Sequence, residues 1–380
     1  MTQKEFNNTA RTKWAFTTRR VDRSDAAQLL QDFDKAVPGD LLRVEVVEIG
    51  QHSGLQLTNG RRAGIYPGDE LVLCLGARYA PDQFESEAVI DGGFCHLVAA
   101  GGVAGAVTRK HGRMKSPTLL KVLGRVADAS GAPINIRNYA LEAVEPGPRP
   151  PVIAVFGASM NAGKTTSAAA LIHGLTKAGY KVGACKATGT GACGDINTYW
   201  DAGAHDVLDF TDLGHVTTFG AALSDVREVA FNLVDHLARR GATAIVMEIA
   251  DGVLQQETAA LMTDASFVRM TDATLFAAPD ALSAINGVGV LQNAGHTVLG
   301  VSGVLTRSPL ASEEASRLIA APIISKQALC NGETMADMLE TNGLASPDLQ
   351  MPQPVDQGLA GHAPAGQSPV GRDSERLVAA

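Results

Sequence analysis

The segment Val152 to Thr166 reads VIAVFGASMNAGKTT: five apolar residues run into a short loop that ends Gly163-Lys164-Thr165. This order fits most of the pattern G-x-x-x-x-G-K-[ST], in which backbone N–H groups at a helix N-terminus wrap phosphate oxygens. Ala158 stands at the first glycine position, with Gly157 just before it, so the strict pattern is missed by one residue. Alanine fits there if its φ is negative. The phosphate-binding set is then Gly157, Ala158, Ser159, Met160, Asn161, Ala162, Gly163, Lys164, Thr165 and Thr166. Lys164 is the catalytic cation that would neutralise β- and γ-phosphates, and the Thr165 hydroxyl would face Mg²⁺.

A magnesium site beside such a loop needs oxygen ligands. Glu248 closes the apolar run Ala244 to Ile249, where an acid at a strand end would meet the metal, and Asp251 lies in the same turn ahead of Gly252. A second cluster is Lys186-Ala187-Thr188-Gly189-Thr190-Gly191-Ala192-Cys193-Gly194-Asp195. Its glycines would bring backbone amides and Lys186 against an anionic substrate or a γ-phosphate, with Lys186 stabilising the transferring group. Asp195 joins Thr165 and Glu248 as a metal ligand, while Thr188, Gly189, Asp201 and Asp251 are the substrate candidates. His205 and His215, further along, are candidate acid–base groups.

Two kinds of element must position these residues. From Val152 onward short apolar runs alternate with helical stretches. Strands are predicted at Val152 to Phe156, Lys181 to Lys186, Ala244 to Ile249, Ala273 to Ala278 and Val298 to Leu305. Helices are predicted at Thr165 to Ala178, Ala221 to Arg240 and Ala281 to Ala294. The fold class is therefore α/β, a P-loop NTPase-type, doubly wound parallel sheet over residues 152–345. Ahead of it, residues 38–143 read as a smaller β-rich domain, a barrel or sandwich, with a hairpin at Asn59-Gly60. Pro38-Gly39-Asp40 and Pro67-Gly68-Asp69 are matching turns, each followed by a strand-like run, as an internal duplication would give. Residues 144–151 form a proline-rich linker. Residues 1–37 are a polar segment with one short helix at Ala26 to Ala36, and residues 346–380 are a disordered tail.

Bulk properties narrow the function classes. The 380 residues carry a formal charge of −8, so a nucleic-acid partner is not expected. No run of 18 apolar residues appears, so a membrane span is not expected either. The five cysteines lack zinc-ligand spacing and fit reduced thiols, and the polar start lacks a secretory apolar stretch. A cytoplasmic protein is the expectation.

The motifs GASMNAGKTT, KATGTG and MEIADG together resemble the dethiobiotin synthetase-like branch of P-loop proteins. That branch also holds the cobyrinic acid a,c-diamide synthetases and the molybdopterin-guanine dinucleotide biosynthesis adaptor proteins. Ala187 replaces the proline that dethiobiotin synthetases carry after the lysine, and the last motif reads Glu248-Ile249-Ala250-Asp251-Gly252. Thr188-Gly189-Thr190-Gly191, Asp195 and Asp201-Ala202-Gly203-Ala204 are closer to a P-loop family that includes D-glutamate N-acetyltransferases, with altered spacing at the second Asp. The resemblance covers about residues 152–325 and leaves the β-rich part unmatched. It implies base contacts from Thr306 and Arg307. Ser159 replaces the loop lysine of ParA/MinD-type dimer switches, which disfavours that mode but leaves a homodimer open. No N-K-x-D motif is present, so ATP is preferred over GTP. The readings that follow are an ATP- and Mg²⁺-dependent enzyme activating a small metabolite, a nucleotide-switched adaptor or ATPase acting on a protein partner, and an acyl-CoA-dependent acetyltransferase.

Overall fold

In the computed structural model, which describes residues 4–6 and 11–345, the apolar runs after the linker become the centre of a six-stranded sheet. Its order is Asp206–Asp209, Val182–Lys186, Ala244–Glu248, Val152–Gly157, Ala273–Ala277 and Val298–Ser302. Every neighbouring pair is parallel. Fully buried runs such as Ala-Ile-Val-Met-Glu suit a sheet covered on both faces. Ile153 and Val155 face a core with helix α1 (Lys164–Lys177), helix α2 (Gly194–Asp201) and the last described helix, Gly332–Thr341. Val152, Ala154 and Phe156 face the opposite core, built on helix α3 (Leu223–Arg239) and the helix Ala281–Asn293. The strands and helices expected after residue 151 are present, except that the strand expected at Val298 to Leu305 ends at Ser302 and Val304–Arg307 is a 3₁₀ turn. The strand Asp206–Asp209 and the helix α2 are additions that the periodicity did not mark.

The β-rich part closes on itself. Thr118–Ala127, Leu41–Glu48, Glu70–Leu75, Val103–Lys110 and Phe94–Ala99 pair in a ring of five strands, the last returning to the first. Of the two expected forms, this is the barrel. Alternate residues from all five, among them Leu42, Val44, Leu71, Leu73, Leu97, Ala104 and Leu120, share one buried cluster. The two Pro-Gly-Asp turns act reciprocally: Gly39 donates its N–H to Leu75 O at 2.8 Å, and Gly68 to Val46 O at 2.8 Å. Each turn thus closes on the end of the strand that follows the other. The Asn59-Gly60 hairpin joins Gly54–Gln56 to Arg62–Gly64, and the linker 144–151 carries no helix or strand.

The N-terminal residues correct the sequence reading. Ala26 to Ala36 form no helix; Gln28–Leu30 is a strand paired with Thr118–Ala127, followed by a 3₁₀ turn at Phe33–Lys35. An isolated helix of this length is marginal, whereas a strand laddered on both sides, to Lys4–Glu5 and to Thr118–Ala127, gains those bonds and buries Leu29. Lys13–Trp14 pairs with Glu70–Leu75 and buries the indole. This second cluster, outside the barrel, also takes in Val216 from the parallel-sheet half. The tail assigned to residues 346–380 lies outside the described residues. Among those described, no helix is long and apolar enough to cross a membrane.

Candidate functional site

Val152–Gly157 lies between the strand Ala244–Glu248 and the strand Ala273–Ala277. The chain leaves it to build first one side of the sheet and later the other, which opens a crevice at the carboxyl ends of the strands. The phosphate loop crosses that crevice. Among the described residues Asn161, at φ 63°, is the one non-glycine in the left-handed region. Ala158 is therefore outside it, which removes the objection to alanine at the first glycine position. Gly163, at φ 103°, caps α1, and a side chain there would press on Gly303 Cα at 2.9 Å. Gly157 is required for another reason: a Cβ would lie 2.6 Å from Lys164 Cγ.

The Lys164 side chain folds back over the loop, donating from Nζ to Ser159 O at 2.9 Å and to Asp251 O. Burial pushes its pKa down, against the pull of Glu248 and Asp251. Thr165 Oγ1 donates to Asp195 Oδ1 at 3.0 Å. The other oxygen of Asp195 is ion-paired to Lys186, whose Nζ is 3.6 Å from Glu248 Oε1. Glu248 Oε2 accepts from the Tyr199 hydroxyl. Strand register places this last set: Lys186 is the direct partner of Glu248 across the ladder. Burial acts to lower the Lys186 pKa, but Asp195 and Glu248 outweigh it and raise it. Burial acts to raise Asp195, and Lys186 reverses that. Asp251 is shifted up by burial, opposed by Lys186, Lys164 and Arg78.

These groups surround a cleft of ≈ 350 Å³, lined by Met160, Asn161, Gly163, Lys164, Thr165, Thr166, Lys186, Asp195, Glu248, Ala250, Asp251, Val304 and Arg307. That volume is within the range of roughly 300–1,000 Å³ usual for small-molecule sites. The donors near Thr165 are a hydroxyl and carboxylates, the hard-oxygen set that Mg²⁺ prefers. Among the described residues no group of three or more His, Cys, Asp or Glu is arranged to hold a metal. A Mg²⁺ ion beside a nucleotide takes much of its shell from phosphate and water, so one hydroxyl and one or two carboxylates fit it.

Other candidates do not line the cleft. Thr188 is buried, with its hydroxyl on Ala250 O, and the Gly189 N–H is held by Thr218 Oγ1 at 2.9 Å, so both brace the loops behind the site. Thr306 turns its hydroxyl back onto Gly303 O at 2.9 Å. Asp201 ends α2, exposed and about two turns from Asp195. His205 sits at the opposite, amino end of its strand, with Nε2 3.2 Å from Arg240 O. His215 lines a separate cavity of ≈ 400 Å³ with Arg137, Asp225 and Glu228. The acid–base and substrate roles expected of Asp201, His205 and His215 therefore have no place in this cleft: sequence nearness to a strand does not say which end of it a residue reaches.

Two contributors went unread in the sequence. Tyr199 is one, although its i,i+4 spacing from Asp195 was a usable signal. The other is the β-rich part, through segments that flank its barrel. Asp82 accepts from the Asn161 amide on the phosphate loop, and Gln56 Oε1 accepts from the Cys193 N–H at 2.8 Å, at the start of α2.

No protein-family model matches the chain, and no curated protein matches its sequence. Among solved structures it is similar to the signal recognition particle receptor FtsY from Elizabethkingia anophelis in complex with GDP. That match has 17% identity and TM-score 0.36, and covers 53% of this chain and 67% of that one. It is also similar to the 54 kDa signal recognition particle protein from Aeropyrum pernix K1 in complex with GDP, at 20% identity and TM-score 0.35, over 53% of this chain and 49% of that one. Likenesses of this strength carry no argument about activity. The P-loop NTPase-type fold rests on the sheet order and loop described above, and the resemblance to the dethiobiotin synthetase-like branch gains nothing from these matches.

Proposed function

We propose that the chain is a Mg²⁺-dependent enzyme that binds a nucleoside triphosphate, ATP by preference, and activates a small anionic metabolite by phosphoryl transfer. The observation that carries this reading is the convergence of two lysines, Lys164 and Lys186, and three acids, Asp195, Glu248 and Asp251, on one cleft under a phosphate loop. Loop amides and Lys164 would hold the β- and γ-phosphates, Lys164 exchanging its carbonyl partners for phosphate oxygens. Thr165, Asp195 and Glu248 would hold Mg²⁺, which when bound supplies charge neutralisation at the phosphates. Lys186 would stabilise the charge that develops on the moving group. Arg307, which lines the cleft, would meet the base or ribose. The dethiobiotin synthetase-like resemblance supports this reading, because its members also carry the lysine-bearing second strand end.

One observation favours a second reading, a nucleotide-switched adaptor or ATPase: the β-rich part touches the phosphate loop directly through Asp82 and Asn161. A change at the loop would then be felt by the β-rich part, which could present it to a partner. The acetyltransferase alternative has no comparable contact behind it.

Thermal shift with ATP, GTP and acetyl-CoA, each with and without MgCl₂, followed by product analysis, tests the proposal. A ligand that binds the native state raises the melting temperature in proportion to RT ln(1+[L]/Kd). The result expected is an ATP shift that grows with MgCl₂ and is lost in Lys164→Ala. ATP turnover that survives Lys164→Ala refutes the mechanism, and turnover that appears only with a protein partner selects the second reading.

A further inference from the structure

Asp195 and Tyr199 are four residues apart on α2 and so project from one face of the helix. The first reaches the Thr165 hydroxyl and Lys186; the second reaches Glu248 on the neighbouring strand end. Tyr199 is 1% exposed and Glu248 2%. A phenol hydroxyl in such surroundings costs stability unless it is hydrogen-bonded, and here its partner is a carboxylate of the cleft. A glutamate with two equivalent oxygens turns easily about its last torsion. Once the hydroxyl holds Oε2, Oε1 is left toward Lys186, 3.6 Å away, and the open cleft. Phenylalanine would keep the ring and remove only the hydroxyl, so the two contributions are separable by substitution.

We infer that Tyr199 is a positioning residue for the paired carboxylates: its hydroxyl fixes Glu248, so that α2 presents Asp195 and Glu248 as one rigid donor set to the Mg²⁺ of a bound nucleotide. This rests on the nucleotide reading above. Groups that orient metal ligands in this way change metal affinity by about 10–100-fold when removed. Tyr199 touches neither nucleotide nor metal and acts through Glu248.

The test is calorimetric titration of ATP into wild type, Tyr199→Phe, Glu248→Gln and the double variant, each in MgCl₂ and in EDTA. In MgCl₂, Tyr199→Phe weakens ATP binding about tenfold, the low end of that range. In EDTA its affinity matches wild type, which also reports that the variant is folded. The double variant binds no more weakly than Glu248→Gln alone. Equal affinities of Tyr199→Phe and wild type in MgCl₂ overturn the inference. So does an equal loss in MgCl₂ and EDTA, which marks a packing defect, or a double variant whose losses multiply. A wild type whose ATP binding ignores MgCl₂ overturns the nucleotide reading itself, whereas a Mg²⁺-sensitive wild type with an unaffected Tyr199→Phe overturns only the role of Tyr199.

Discussion

Replacing Lys186 by methionine keeps most of the side chain's length and removes the ammonium, so it isolates the charge. That ammonium sits between Asp195, 24% exposed, and Glu248, 2% exposed. Without it Glu248 keeps the Tyr199 hydroxyl but faces Asp195 with no cation between them. Breaking a buried ion pair by deleting one partner typically costs 3–5 kcal/mol. Partial exposure of Asp195 and the nearby charge of Lys164 favour the low end, so the variant should lose about 3 kcal/mol in the absence of nucleotide. The pH dependence gives a sharper signature. In the wild type Lys186 holds the Asp195 carboxyl below its ordinary value. Stability from such a depressed group is present above the unfolded pKa and lost as pH falls through the folded one. In the variant burial acts on Asp195 with less opposition and its folded pKa rises. A carboxyl raised in this way favours the fold when protonated, so the deficit should shrink as pH drops from 8 to 5. Urea unfolding at several pH values measures both curves, and Lys186→Met with Asp195→Asn should recover about 1 kcal/mol relative to Lys186→Met alone. A loss below about 1 kcal/mol, or a deficit that does not vary with pH, would mean that Lys186 is not the cation of this network.

Three further outcomes are expected. Gly157→Ala places a methyl 2.6 Å from Lys164 Cγ; it should cost about 1–3 kcal/mol in thermal unfolding and weaken ATP binding at least about tenfold. Asp82→Asn removes a negative charge beside the phosphate loop while leaving an amide for Asn161. ATP should then bind about two- to fivefold tighter at low salt, with the gain fading at high ionic strength in the same titration. His52, whose Nδ1 is buried with no hydrogen-bond partner among the described residues, is pushed down by burial to about 4. Its neutral form is the one that suits the fold, so its contribution is intact above about pH 6.5 and is lost as pH falls toward 4, at no more than about 1.4 kcal/mol per unit. His52→Gln should flatten the acid limb of a melting-temperature profile over that window, and an unchanged limb would rule the residue out as its cause.

The parallel sheet was legible because its strands are continuous apolar runs and its loop has a fixed spacing of glycine, lysine and threonine. Glu248 was legible as an acid that ends such a run. Asp206–Asp209 was not, because a four-residue strand bounded by aspartates has too few apolar positions to show a period. Helix α2 was hidden by the glycines before it, which read as loop, and with it went the pairing of Asp195 and Tyr199 on one face. The strand Gln28–Leu30 failed for the opposite reason: Ala26, Leu29, Leu30 and Phe33 carry a helical period, but pairing with Thr118–Ala127 decides the outcome. The positions of His205 and His215 depended on which end of a strand or which side of a turn they occupy, a fact of tertiary structure that residue type does not encode.

The β-rich part meets the rest of the chain where the cleft residues are carried. Arg19 lies between Asp209 and Asp212, at 3.0 and 2.7 Å, just past the strand that pairs with Val182–Lys186. Gln56 holds the Cys193 N–H at the head of α2, whose first turn carries Asp195. Asp82 holds Asn161, the residue with left-handed φ in the phosphate loop. Val216, from the segment after Asp212, packs in the barrel's outer cluster, and Tyr79 lies 5.5 Å from Phe219, centroid to centroid. A module tethered only for docking would leave α2 and the loop to be ordered by the parallel sheet alone. Here α2 is fixed at its head by Gln56 and farther along by Tyr199 on Glu248, so the spacing between the two carboxylates depends on both halves of the chain. The β-rich part is on that ground part of the cleft's scaffold, and changes at Gln56 or Asp82 are changes to the site even though neither side chain lines it.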